Sequence, residues 1–210
     1  MLQRIFVFIL LTSLFTCCDQ GTKPNRSESI NAKTTSSKNW QKADIKYANG
    51  FSIEYHEQLK VLKIFNPWQG AQRISATYVL YPRHEEEPAF NEPCLKIPIP
   101  IRSIVCLSTT HIGFLDAIDE LNSIVGISGK KLINNSYVND KIERDKIVDV
   151  GYDQSLNKEI LAVLEPDLIM AYSVSNELSS TSAKLEEMGL SLVLNAEYLE
   201  AHPLGKSEWI

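Results

Sequence analysis

The sequence predicts an α/β fold with a doubly wound, mostly parallel sheet, preceded by antiparallel β-hairpins. Two patterns carry this prediction. From Phe51 to Tyr81, apolar and polar residues alternate with period two between turn residues, which is typical of hairpins with one covered face. From Arg102 onward, short apolar runs alternate with segments of helical periodicity. This βαβα order favours parallel strands with helices packed on the sheet.

The hairpin region is assigned to residues 41–97. Its predicted strands are "FSIEY", "LKVLKIF" and "ISATYVLY", and Asn66, Pro67 and Gly70 mark a turn between the last two. The stretch "PRHEEEPAFNEPCLKIPIP" that follows is rich in proline and charge. We expect it to be a surface connection without regular structure.

The α/β region is assigned to residues 98–203. Its predicted strands are "SIVCL", "SIVGIS", "KIVDV", "DLIMA" and "LSLVLN". A first helix is predicted over Ile112–Asn122, because Ile112, Leu115, Ile118 and Leu121 form one apolar stripe. The segments "LNKEILAVLE" and "ELSSTSAKLEEMG" are predicted as two further helices, ended by Pro166 and by Gly189 respectively.

The first 18 residues have the pattern of a signal peptide. One charge, Arg4, precedes an apolar run, and Cys17 and Cys18 close it. The stretch "LFTCC" resembles a bacterial lipoprotein signal, which implies that Cys17 or Cys18 is lipidated; a plain secretory signal or an uncleaved anchor are the alternatives. Residues 19–40 contain few apolar residues, so we expect a disordered tether between a membrane anchor and the folded part.

Composition excludes some classes of function. The chain of 210 residues has a net charge of -5, which argues against a nucleic-acid partner. The phosphate-binding patterns GxGxxG and GxxxxGK[ST] are absent, as is the GxSxG elbow of hydrolases. The four histidines lie in separate segments without metal-ligand spacing. We therefore expect no metal site and no cofactor. Cys106 is expected to be a buried thiol, although Cys94 and Cys106 could also pair.

Loops at the carboxyl ends of parallel strands are where ligands bind in such sheets. Three such loops are "STTH" (108–111), "GYDQS" (151–155) and "YSVSN" (172–176). His111 is expected either to hydrogen-bond locally or to touch a ligand, with metal ligation as an alternative. Tyr152 and Tyr172 either pack at the sheet edge or line a cleft. Ser108 and His111 do not make a hydrolase triad, because no acid is placed to orient the imidazole.

The segments "IVCLSTTHIGFLDAI", "IVGIS", "KIVDVGYDQSLNKEILAVLEPDLIMAY" and "LEEMGLSLVLN" occur in this order. This part of the chain, roughly 98–210, resembles the N-terminal lobe of the substrate-binding proteins of ABC importers for iron–siderophore complexes, haem or vitamin B12. The resemblance implies two α/β lobes joined by a long helix, with the ligand held between them. Residues 204–210 would start that helix with Ser207 as N-cap, Trp209 would face the core of the missing part, and the second lobe would lie outside this sequence.

The resemblance also implies roles for individual residues. The ligand-facing positions are Ser108, Thr109, Thr110, His111, Tyr152, Asp153, Tyr172 and Ser173. Glu159 falls where family members carry an acid that docks on the permease; an ordinary surface acid is the alternative. The partners implied are a metal chelate or corrinoid, a permease with its ATPase, and the membrane. The protein would be periplasmic, lipid-anchored to the envelope of a bacterium, and not an enzyme.

Two other functions stay open at the level of sequence. One is an α/β enzyme, a hydrolase or transferase, on the same fold. The other is a surface-binding or sensory module that uses the lobe without transport. The ligand-facing loops contain no Arg or Lys, which slightly favours a neutral ligand such as cobalamin over an anionic siderophore.

Overall fold

The structure, a computed structural model, describes residues 40–152, 155–173 and 178–210. The predicted signal segment with Cys17 and Cys18, the predicted tether up to residue 39, and Asp153 lie outside the described residues. Within the described part of the chain, no helix has the length and apolarity needed to cross a membrane.

The first sheet contains the predicted hairpins. Its strands are β1 (Gln41–Lys42), β2 (Phe51–His56), β3 (Leu59–Phe65), β4 (Ser75–Pro82) and β5 (Leu95–Ile99), which lie side by side in that order. Strands β1 to β4 pair antiparallel, as the period-two pattern predicts, whereas β5 pairs parallel to β4. The hairpin prediction is confirmed, and the sheet gains a parallel edge strand.

Strand β5 corrects the prediction for residues 82–100. That stretch was expected to have no regular structure, because of its prolines and charges, yet Leu95–Ile99 forms a strand in which Pro98 pairs with Tyr81. Strand β5 is the outermost strand of the sheet. A strand with a neighbour on only one side tolerates a residue that has no backbone N–H to donate.

The second sheet is entirely parallel. Its strands are β6 (Ile104–Cys106), β7 (Ile124–Ile127), β8 (Val148–Asp149), β9 (Leu168–Ala171) and β10 (Leu192–Leu194), in the order β10-β9-β6-β7-β8. The chain starts at the central strand, winds outward to β8, and then returns to wind outward on the other side. This is the doubly wound order that the sequence predicts, with its switch point between β6 and β9.

Among the described residues, five α-helices accompany the second sheet: α1 (Thr109–Ala117), α2 (Ser136–Glu143), α3 (Lys158–Leu164), α4 (Leu178–Glu187) and α5 (Pro203–Ser207). Helices α1 and α2 contribute Ile112 and Val138 to a core that the first sheet shares through residues such as Ile64. Helices α3 and α4 contribute Leu161 and Leu185 to the core on the other face. Both faces of the parallel sheet are therefore covered, which explains why its strands are apolar throughout.

Helix α1 begins earlier and ends earlier than predicted. It starts at Thr109 because Ser108 caps it, accepting a hydrogen bond from the backbone N–H of Thr110 at 3.2 Å. It ends at Ala117, and Ile118, predicted for the buried stripe, is 50% exposed. Three of the four predicted loop residues, Thr109 to His111, thus belong to the first turn of the helix.

Helix α5 also differs from the prediction. Its N-cap is His202, whose Nδ1 accepts from the N–H of Leu204 at 3.1 Å, while Ser207 is the last helical residue. Pro203 stands in the first turn, where its missing N–H does no harm. Trp209 packs within the described part of the chain, because its ring lies edge-on against Phe51 with 4.8 Å between the ring centroids.

Candidate functional site

Four loops meet at the carboxyl edge of the parallel sheet. Ser108 follows β6, Tyr152 follows β8, Tyr172 follows β9 and Tyr198 follows β10. Strands β6 and β9 are neighbours at the switch point of the sheet. A crevice above that point is where doubly wound sheets hold their ligands.

Three tyrosines form the centre of this edge. The hydroxyls of Tyr152 and Tyr172 are 3.0 Å apart, although two strands separate β8 from β9. The rings of Tyr172 and Tyr198 meet edge to face at 6.4 Å, and the Tyr198 hydroxyl donates to the backbone carbonyl of Ser173. Tyr152 is 47% exposed, so its ring presents both an aromatic face and a hydroxyl to a ligand.

Tyr198 and Glu197 are site residues that sequence reasoning missed. The loop after β10 was not among the three loops singled out, because "NAEYLEAHP" shows no recognisable ligand pattern. Burial raises the pKa of Tyr198, and the charge of Glu197 raises it further. The signal that could have located them is position alone, since this loop also leaves the carboxyl end of a strand.

A cavity of about 310 Å³ lies beside the first turn of α1. Thr110 and Phe114 of α1 line it on one side, and Glu197, Tyr198 and Lys206 line it on the other. With Ser207, which also lines it, the cavity combines one cation, one acid and three hydroxyl groups. The N-terminal end of α1 adds partial positive charge nearby.

Glu197 is a buried acid at this cavity. It is 8% exposed, and its Oε2 has no hydrogen-bond partner among the described residues. Burial raises the pKa of Glu197, while backbone N–H groups, Lys206 and Thr110 oppose that rise. A buried carboxyl oxygen without a partner is costly, so a hydrogen-bond donor of a bound molecule would be favoured there.

His111 does not face the crevice. Its side chain is fully buried, and neither ring nitrogen has a hydrogen-bond partner within the described part of the chain. Burial lowers the pKa of His111 to about 4, and the Met170 backbone, whose carbonyl also accepts from Leu107, opposes that shift. The imidazole is therefore neutral at ordinary pH. Among the described residues, no three His, Cys, Asp or Glu side chains are placed to hold a metal ion.

The structure brings most of the predicted site residues to one edge. Ser108, Thr110, Tyr152, Tyr172 and Ser173 lie there together. Thr109 is exposed on the first turn of α1, His111 points into the core, and Asp153 lies outside the described residues. Glu159 is exposed on the first turn of α3, away from these hydrogen bonds.

Both cysteines of the described part are free. Cys106 is 1% exposed on β6, which confirms the prediction of a buried thiol, and burial raises its pKa to about 12. It contributes packing to the floor of the site rather than reactivity.

Comparisons with known proteins find a family match within the α/β part of the chain. The family model described as "Periplasmic binding protein" matches residues 104–188. An uncharacterised lipoprotein of Methanocaldococcus jannaschii is 27% identical over 224 residues, covering 96% of this chain and 53% of the relative. This chain thus spans about half the length of the curated relative that it matches. A solved structure, the periplasmic vitamin B12 binding protein of Vibrio cholerae, is 19% identical with a TM-score of 0.34, covering 52% of this chain and 46% of that one.

The matched residues run from the first strand of the parallel sheet to the end of α4. They include the loops that carry Ser108, Tyr152 and Tyr172. With its doubly wound sheet, this part of the chain is similar to the periplasmic binding protein family.

Proposed function

We propose that the protein is the solute-binding component of an ABC importer, which captures a metal chelate (an iron–siderophore complex, haem or cobalamin) and delivers it to the permease. The observation that carries the proposal is the cluster of Tyr152, Tyr172 and Tyr198 at the carboxyl edge of a periplasmic-binding-protein lobe. Large, weakly polar ligands are held by aromatic faces and a few placed hydroxyl groups.

The charges at the edge favour a ligand that is close to neutral. The predicted loops contain no Arg or Lys, and Lys206, the cation that lines the cavity beside Thr110, is balanced there by Glu197. An anionic chelate would need more positive charge than this side of the crevice supplies. Within the three ligand types, these charges favour a corrinoid.

The site supports capture better than catalysis. A hydrolase or transferase needs an acid–base pair aimed at the substrate. His111 is buried and neutral, and within the described residues no acid contacts either of its nitrogens. A surface-binding or sensory module would use the same crevice without transport, and no observation on the chain favours it over transport.

Delivery to a permease would use Glu159. This acid is exposed in the first turn of α3, and Val163, four residues later, is 85% exposed. Residues four apart lie on one helix face, so the acid stands next to an apolar contact. A pair of this kind suits docking on a basic, partly apolar surface, since charge pairing sets orientation and apolar contact contributes affinity.

The chain would be held at a membrane of the cell envelope by acyl groups on Cys17 or Cys18, with the folded part in the periplasm. The apolar run that ends in "LFTCC" and the lipoprotein name of the archaeal relative support this location. Mass spectrometry of the membrane fraction, with Cys17→Ser and Cys18→Ser variants, identifies the acylated residue. If both variants stay in the membrane fraction, the proposed lipid anchor is contradicted.

Ligand capture is tested by equilibrium dialysis of the full chain against cyanocobalamin, haemin and ferrichrome, each used separately. We expect cyanocobalamin to be retained and haemin, which carries two anionic propionates, to be retained least. Retention of haemin or ferrichrome instead would support the importer and change its ligand. No retention of any of the three would contradict the proposal.

A further inference from the structure

A second cavity lies apart from the crevice. Its volume is about 570 Å³, and it lies between β4 and β5 of the first sheet and β10 and α4 of the second. It shares no lining residue with the cavity beside Thr110. This volume is within the usual range of sites for small molecules.

The walls of this cavity are mainly apolar and aromatic. Trp68 and Tyr78 provide the rings, and Leu95, Leu192 and Leu194 provide the aliphatic surface. The Tyr78 ring is held in place, because its hydroxyl accepts a hydrogen bond from the backbone N–H of Leu194 at 3.1 Å. A rigid aromatic wall of this kind binds ligands with little loss of side-chain freedom.

One acid sets the electrostatic character of the cavity. Glu186 of α4 is the one side chain of a charged residue type in the described lining, and it is exposed at the rim, where Ser182 donates to it at 3.2 Å. The charge of Glu186 acts on groups inside the cavity. Burial raises the pKa of Tyr78 to about 12, and the charge of Glu186 contributes to that rise. Burial also raises the pKa of the Cys94 thiol. Near Cys94 the charge of Lys96 opposes those of Glu87 and Glu92, and Lys96 pairs with Glu87 at 2.8 Å. Glu186 therefore supplies the charge within the described lining.

We propose that this cavity is a binding site for a small organic cation, whose apolar body lies against Trp68 and Tyr78 and whose ammonium group faces Glu186. Aromatic faces attract cations, and the attraction grows when the cation leaves water. An anion would meet Glu186 without any lysine or arginine in the described lining to compensate it. This inference is independent of the function proposed for the crevice, with which it shares no residue.

The test is a titration of the full chain with benzyltrimethylammonium, followed by NMR of the probe, with phenylacetate as an anion of similar size. We expect saturable binding of the cation in roughly the millimolar range, and affinity for phenylacetate at least about tenfold lower. Glu186→Gln should weaken binding of the cation roughly fivefold, whereas Glu187→Gln, on the same helix but outside the cavity, should not change it.

A variant that fills the cavity gives an independent check. Ala183 lines the cavity from the exposed side of α4, so Ala183→Phe should occupy the space and abolish binding with little effect on folding. The proposal is overturned if the cation shows no saturation, if phenylacetate binds as well, or if Glu186→Gln and Glu187→Gln bind the cation alike.

Discussion

The carboxylate of Glu200 accepts a hydrogen bond from the backbone N–H of Gly50 at 2.8 Å, across 150 residues of sequence. The same carboxylate accepts from Asn49 and from the indole of Trp209. Glu208 accepts in the same way from three more consecutive backbone N–H groups, those of Lys46, Tyr47 and Ala48. Two acids near the end of the chain therefore hold five successive residues at the start of the folded part.

Glu200→Ala is expected to destabilise the fold by about 3 kcal/mol, because it leaves three partly buried N–H donors without an acceptor. Glu200→Gln retains one acceptor oxygen and should cost less. Urea denaturation measures both. Glu187→Ala, an exposed acid of α4, is the control and should change stability by under about 0.5 kcal/mol. Equal stability of the Glu200 and Glu187 variants would show that these hydrogen bonds do not stabilise the fold.

Gly50 packs too closely against Trp209 to accept a side chain. A Cβ at this position would be 2.7 Å from Cζ2 of Trp209. Gly50→Ala should therefore cost roughly 1–3 kcal/mol, and the cost should fall in the double variant with Trp209→Leu, since the two residues are coupled. Gly113→Ala is the matched control: open space surrounds that position on α1, so it should stabilise by roughly 0.5–1 kcal/mol. Strict additivity of Gly50→Ala and Trp209→Leu would contradict the contact.

His111 makes the protein sensitive to acid. Its pKa is lowered from 6.5 to about 4 in the fold, so below pH 6.5 the unfolded chain binds a proton that the folded chain does not. Stability is therefore lost as pH falls from 6.5 to about 4, by about 3 kcal/mol from this residue. Denaturation midpoints at pH 7 and pH 4 should differ less in His111→Leu than in the native chain. An unchanged pH dependence in His111→Leu would mean that the imidazole is not buried as described.

Glu159 and Val163 form the surface proposed for docking on the permease. Glu159→Lys reverses the charge, so uptake of the captured ligand by cells should fall by roughly tenfold or more, while the Kd of the purified protein for the ligand stays the same. Glu187→Lys makes the same charge change on α4 and should leave uptake unchanged. A loss of uptake in both variants alike would assign the effect to net charge rather than to this surface.

Much of this fold follows from local sequence pattern. The strands β2 to β4 have a clear period of two, and α3 and α4 end at Leu164 and Glu187, just before Pro166 and Gly189. Helix α2 gave no such signal, because Val138 is its one fully buried residue and Asn135 caps it from within a polar stretch.

The candidate site was only partly predictable. Loops after strands can be located from the sheet order, so the position of Ser108, Tyr152 and Tyr172 at this edge follows from the sequence. The inward direction of the His111 side chain could not be predicted. It arises because Ser108 caps α1 and thereby turns position 111 toward the core. The contact between the Tyr152 and Tyr172 hydroxyls depends on how far two side chains reach across β6 and β7, which no local pattern encodes.

We propose that the tyrosines at the carboxyl edge hold the ligand. The most direct test is a titration of the full chain and its Tyr152→Ala variant with cyanocobalamin, followed by fluorescence. Tyr137→Ala is the control, because Tyr137 is similarly exposed on α2 outside the crevice. We expect the Kd to rise roughly tenfold or more in Tyr152→Ala and to stay unchanged in Tyr137→Ala. Equal affinities of all three proteins would contradict a ligand site at this edge.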